Sequence, residues 1–187
     1  MANRNTQGFG LVAAGTLGST PATSGQGKYK IDAGYNTTIY NGGAVASAAG
    51  YIVEGQGTDT PILGVLNGIF YNAATTLKPT FANFYKTPIT PANSEDIDAF
   101  VFDNPHQQYV VATDATAAQA VYLETFDMNS SAGSDTTCKS SATLDIGTTG
   151  NDDKSFRLLR SAEDPENDEN VAFRSVVVVP NLIELQS

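Results

Sequence analysis

Tryptophan is absent from this chain, cysteine and histidine occur once each, and methionine twice among 187 residues. A single cysteine, Cys138, permits no disulfide within the chain and no cysteine-built zinc cluster. A single histidine, His106, leaves Ser-His-Asp and Cys-His catalytic sets one residue to draw on. Cys138 lies in SDTTCKSS, a polar context suited to an exposed loop, where nothing argues for an activated thiol. Basic residues are scarce too: 10 stand against 20 acidic ones, giving a formal charge of −10 and a pI near 4.3. Nucleic-acid affinity rests on Lys and Arg displacing counterions from phosphates, so no direct nucleic-acid partner is expected. The same charge favours solubility and can complement a basic partner surface.

Long apolar runs are also missing. A membrane span needs about 20 apolar residues, and Ile62 to Tyr71 is about half that, so no segment is expected to cross a membrane. Arg4 followed by FGLVAAGTLG loosely mimics a signal peptide, but its apolar part is short, glycine-rich and followed by no clear cleavage site. Secretion by this route is not expected, and the sequons at Asn36 and Asn129 then carry no weight.

What is present reads as β structure. The run from Tyr51 to Tyr71, YIVEGQGTDTPILGVLNGIFY, organises the rest. Gly64 and Gly68 would each cost a helix roughly 1 kcal/mol, and the β-branched and aromatic residues suit a strand. Because Ile62, Leu63, Val65 and Leu66 do not alternate with polar residues, both faces of that strand should be covered. Gly55 to Pro61 before it reads as a turn, and the internal glycines mark a bulge or a close backbone approach. Other expected strands are Lys28–Asp32, Thr37–Tyr40 paired with Ala44–Ser47 through the hairpin dipeptide Asn41-Gly42, Tyr51–Glu54, Asp96–Asp103 and Gln108–Thr113. Ala112 to Met128 is ambiguous. Asp114 could cap a helix, but Val121, Tyr122, Leu123 and Phe126 favour a strand over Gln119–Met128. Thr143–Ile146 reads as a short edge strand, and Phe156–Leu159 with Val171–Val179 as a last hairpin. Short strands with frequent turn signals imply an all-β sandwich or barrel spanning residues 28–187, with sub-lobes 28–103 and 104–187 as an alternative.

Residues 1–27 are dominated by Gly, Thr, Ala, Ser and Asn and cannot close a core of their own. They read as an unstructured tail or as an extended arm. In the second case Asn3, Arg4, Phe9, Leu11, Val12 and Leu17 would dock on another chain, and deleting 1–18 would leave a folded protein unable to attach. Elsewhere, candidate chemistry is thin. Glu163, Asp164, Glu166, Asp168 and Glu169 crowd one loop without the spacing, central glycine or closing Glu of an EF-hand. Asp96 and Asp98 share a strand face, while Asp152-Asp153 is turn chemistry. No phosphate loop or nucleophile elbow is present. The balance is against an enzyme, with no cofactor or metal site expected. A hydrolase using Asp96 or Asp98 ranks below a carbohydrate- or host-surface-binding domain built on Phe81, Phe84, Tyr85 and Tyr122.

Several segments, taken in order, carry a resemblance. They are PILGVLNGIFYN, the aromatic stretch through Phe84 and Tyr85, DAFVFDNPHQQYVV, TFDMNSSAGSDTTCKSSATLD and SFRLLRSAEDPENDENVAFRSVVVV, with the opening MANRNTQGFGLVAAGTLGS. In this order and spacing the chain resembles a family of small virion structural proteins of tailed bacteriophages, many of them marine. Each segment is a strand-and-turn pattern rather than a catalytic signature. The resemblance implies a capsid decoration (cement) protein, made in the host cytoplasm and placed on the outer surface of the virion. Its partner would be the major capsid protein, and it would form a homo-oligomer, a trimer or dimer, on a lattice with such axes.

Overall fold

A computed structural model describes residues 5–18, 25–55, 61–129, 133–150 and 153–186. Asn3, Arg4, the centre of the turn at 56–60 and Asp152 lie outside these residues. The structure is all-β, with two antiparallel sheets packed together and no closed barrel. Its strands are β1 (Val12–Thr16), β2 (Gly27–Ile31), β3 (Ala44–Ala48), β4 (Tyr51–Glu54), β5 (Gly64–Asn72), β6 (Pro79–Ala82) and β7 (Ile97–Phe102). The remainder are β8 (Gln107–Ala112), β9 (Thr125–Asn129), β10 (Thr143–Gly150), β11 (Phe156–Ser161) and β12 (Ser175–Pro180). One sheet runs β1-β8-β12-β11-β9-β10; the other runs β2-β7-β5-β3-β4, with β6 added to the far half of β5. The chain passes between sheets after β7, where Asn104 makes the turn. Its side chain accepts the His106 N–H at 2.9 Å, and its carbonyl accepts the Gln107 N–H at 3.0 Å.

The apolar run Ile62–Tyr71 becomes the wall between two cores. Val65 on β5 and Ala44 on β3 face Tyr109, Phe126, Phe156, Leu158, Val176 and Val178 of the first sheet. Their neighbours Leu66, Ile69 and Val45 face a second cluster with Ile31, Ile52, Tyr85, Ile97 and Val101. Period-two geometry sends alternate residues to opposite sides, so where β5 is covered on both faces, at Val65 and Leu66, both positions are apolar. Each fully buried Val, Leu or Ile here contributes about 2 kcal/mol relative to exposure. β7 shows the half-covered counterpart: Ile97, Ala99 and Val101 are fully buried, while Asp98, Phe100 and Phe102 are half-buried on the other face, where Phe102 packs against the first core.

Three local expectations are corrected. Asn41-Gly42 does turn the chain, with the Gly43 N–H on the Tyr40 carbonyl at 3.0 Å, but the arms diverge instead of pairing. Ile39 bridges Tyr85 and Asn41 bridges Lys139, because Ile39 has a place in the second core and Asn41 is claimed by the 133–140 loop. The strand expected over Gln119–Met128 begins only at Thr125. Before it a 3-10 turn at Gln119–Val121 leads to Leu123 in a left-handed conformation, φ 70°, which aims its N–H at the Leu158 carbonyl. The helix cap at Asp114, already the less favoured reading, does not form either, since its carboxylate accepts the Ile146 N–H at 3.0 Å. Val171–Arg174 likewise lies outside β12, because Phe173 is left-handed and Arg174 turns inward to donate to the Ala117 carbonyl at 2.6 Å.

Candidate binding surface

Among the described residues of the expected arm, Gly10–Thr16 do not leave the body. Leu11 is 3 % exposed and belongs to the first core, and β1 pairs antiparallel with β8 as the edge of that sheet. The entry to β1 is a crossing of two glycine backbones. Gly10 (φ 73°) donates its N–H to the Ala142 carbonyl at 3.2 Å, and Leu11 donates to the carbonyl of Gly42 (φ 77°) at 2.8 Å. A Cβ on Gly10 would lie 2.8 Å from the Gly42 oxygen, and one on Gly42 would lie 3.0 Å from the Leu11 oxygen. Only glycines permit both the left-handed turns and this approach. Composition alone could not reveal this, because the gap that Leu11 fills is made by residues far along the chain. Of the expected partner-contacting residues, Leu11 is spent internally and Phe9 is half-buried. Val12 and Leu17 remain exposed, at 45 % and 39 %.

Phe9, Leu11 and Val12 do come together along one groove. It consists of two adjoining hollows of about 210 and 380 Å³ that share Asn41, Asn67 and Lys139. A bulge in β5 builds its centre. Leu66 pairs with Val101 and Gly68 with Phe100, so Asn67 is the extra residue and leaves the ladder. The Asn67 carbonyl accepts the Asn41 side-chain amide at 2.6 Å. One bank is the tight turn Ser134–Lys139, closed by the Cys138 N–H on the Ser134 carbonyl and the Ser134 N–H on the Lys139 carbonyl. That turn is pinned to the second sheet. Tyr40 stacks on Phe84 at 5.6 Å and donates its hydroxyl to Asp135, which also pairs with Lys86 at 2.6 Å. Hydrogen bonding from the Lys86 ammonium, then from the Tyr40 hydroxyl, holds the Asp135 carboxyl below the usual carboxylate range. The other end is Phe81, 60 % exposed, whose ring lies against Gly68, where a Cβ would come within 2.8 Å of it. Amides from Asn41, Asn67 and Asn83, one ammonium from Lys139 and flanking phenyl rings suit an extended polypeptide with a carboxylate in it.

The remaining candidates scatter. Tyr85 is fully buried with its hydroxyl on the Tyr35 carbonyl, and Tyr122 sits under the Arg174 guanidinium at 5.6 Å. Phe81, Phe84, Tyr85 and Tyr122 therefore form no common platform. In the acidic loop Asp164 and Asp168 turn back to accept the N–H groups of Glu166 and Asn170. Among the described residues no group of three His, Cys, Asp or Glu side chains is placed to hold a metal ion. Cys138 is half-buried on the groove wall, and His106 sits exposed on the turn between the sheets. Asp96 and Asp98 do line one separate groove, on the second sheet. Sequence reasoning missed the pair of buried Asp127 with half-buried Lys154 at 3.2 Å, since neither residue stands in a motif. It also missed Asn67, whose only signal was the neighbouring glycine. No protein-family model, curated protein or solved structure matches this chain.

Proposed function

We propose that this protein is a non-enzymatic structural component of a phage virion, a decoration protein that braces the outer shell by binding the major capsid protein. The observation carrying this reading is the bulge-built amide groove with Val12 exposed at one end and Phe81 at the other. It offers backbone-directed hydrogen bonding and apolar anchors, the two things that capture an extended segment of a partner. The surrounding scaffold is held rigid by two packed cores, so little conformational entropy is lost on docking. Repetition over a lattice, with this chain as a dimer or trimer, multiplies modest contacts into stable attachment. An acidic body is compatible with a shell exterior, which does not touch packaged DNA.

The test is co-sedimentation with shells assembled from the major capsid protein alone. Val12→Asp and Lys139→Glu place new negative charge in the groove without touching either core. Each should lower occupancy about tenfold, equivalent to roughly 1.4 kcal/mol per contact. Undiminished occupancy by both variants, or failure of the unaltered protein to co-sediment, refutes the reading.

A further inference from the structure

On the face of the second sheet that carries Phe70 and Asp98 lies a second groove, of about 460 Å³, away from Asn67 and Lys139. Strand register builds it. Phe81 on β6 pairs with Phe70 on β5, Phe70 with Asp98 on β7, and Asp98 with Lys30 on β2, so these four side chains form one row across the sheet. Asp96 precedes β7 and accepts the Tyr51 hydroxyl at 3.3 Å, while Asn72 and Asn93 close the rim. Asn93 and Ser94 are consecutive left-handed residues, φ 55° and 54°.

Of the carboxylates lining it, Glu95, Asp96 and Asp98, the last is paired with two ammonium groups. Lys28 and Lys30 reach Asp98 at 2.7 and 2.6 Å. Burial alone would raise the Asp98 carboxyl, but the two ammonium groups outweigh it and hold the group below its ordinary value. Held ionised at neutral pH by the two ammonium groups, Asp98 accepts hydrogen bonds. What remains is a phenyl face beside planar carboxylate and amide groups, rich in acceptors, with Lys30 as donor. A ligand matching this has one apolar C–H face and several hydroxyls that donate and accept at once. A free ion has neither.

We propose that the groove lined by Phe70, Asp96, Asp98, Asn72 and Asn93 is a binding site for a neutral saccharide. This function is independent of shell attachment, and the groove's lining includes none of the four rings expected from sequence.

The test titrates the full chain with maltotriose, cellotriose, N,N′-diacetylchitobiose and methyl galactoside, and in parallel with a lysine-rich peptide. Ligand-observed NMR reports binding, and shifts of the Asn72 and Asn93 side-chain amides report location. Expected is saturable binding of at least one sugar with those amides shifting, weakened about tenfold in Asp96→Asn and Phe70→Leu. The amide shifts on the unaltered protein stand as evidence even where a variant fails to fold. Binding by none of the sugars overturns the proposal, as does sugar binding that leaves both amides unmoved. Capture of the peptide alone, abolished by Asp96→Asn and by salt, overturns it in favour of a basic protein partner.

Discussion

Replacing Leu11 by Ala separates an N-terminal segment that belongs to the body from one that is merely laid on it. The side chain is 3 % exposed, among Tyr109, Phe126 and their neighbours. The change removes three carbons, each worth about 0.8 kcal/mol of transfer free energy. A cavity term brings the loss to about 3 kcal/mol, inside the range for buried Leu→Ala changes. In urea, with a slope of about 2 kcal/mol per molar, the unfolding midpoint should fall by about 1.5 M. For a chain of this size Tm should drop by about 6–12 °C. Val12→Ala is the internal control, since that neighbour is 45 % exposed and its loss should stay within about 0.5 kcal/mol. The same reasoning reverses the expectation for deleting residues 1–18, which would strip β1 from β8, open the Leu11 site and leave a poorly folded protein. A midpoint shift for Leu11→Ala no larger than that for Val12→Ala, or a cooperatively folded deletion variant, would refute the placement of this segment.

Gly42→Ala should cost about 1–3 kcal/mol, from the left-handed backbone plus the approach of the Leu11 carbonyl. Gly50→Ala, left-handed but with nothing within 4 Å, should cost only the conformational part, and equal Tm losses for the two would sink the crossing argument. Asp98→Asn tests the paired charges through pH. Its folded pKa lies below the unfolded value of about 3.9, so its contribution is present above that pH and lost as pH falls through the folded value. The lysines are more than half exposed, which discounts the pair to about 1 kcal/mol. Urea midpoints of the native and Asn proteins should therefore differ at pH 7 and converge towards pH 2; a gap that widens in acid contradicts the assignment.

The strands most legible in the sequence were those whose side-chain pattern has one cause. In Ile97, Ala99 and Val101 alternation reports a covered inner face, and the apolar run through Val65 and Leu66 reports cover on both faces. Where two demands compete, pattern fails. Tyr122 and Leu123 have strand propensity, yet Arg174 takes the first as a ring partner and the Leu158 carbonyl takes the N–H of the second, so the strand waits until Thr125. Asn41-Gly42 names a turn correctly but is silent on where its arms go, because Tyr85 and Lys139 outbid the local pairing from 46 and 98 residues away.

The surface was less legible for a related reason. Phe81, Phe84 and Tyr85 are near neighbours of similar chemistry, yet one is exposed over Gly68, one is stacked on Tyr40 and one is in the core. Exposure there depends on what the opposite strand lacks: the missing Cβ of Gly68 makes room for the Phe81 ring. Asn67 acquires its role the same way, by being the residue left over when β5 and β7 lose register. Binding features here are thus made by departures from regular pairing, and a departure is defined only relative to a partner strand. A lone glycine in an apolar run flags that such a departure is near, but only the register of β7 says which neighbour it displaces and towards which face.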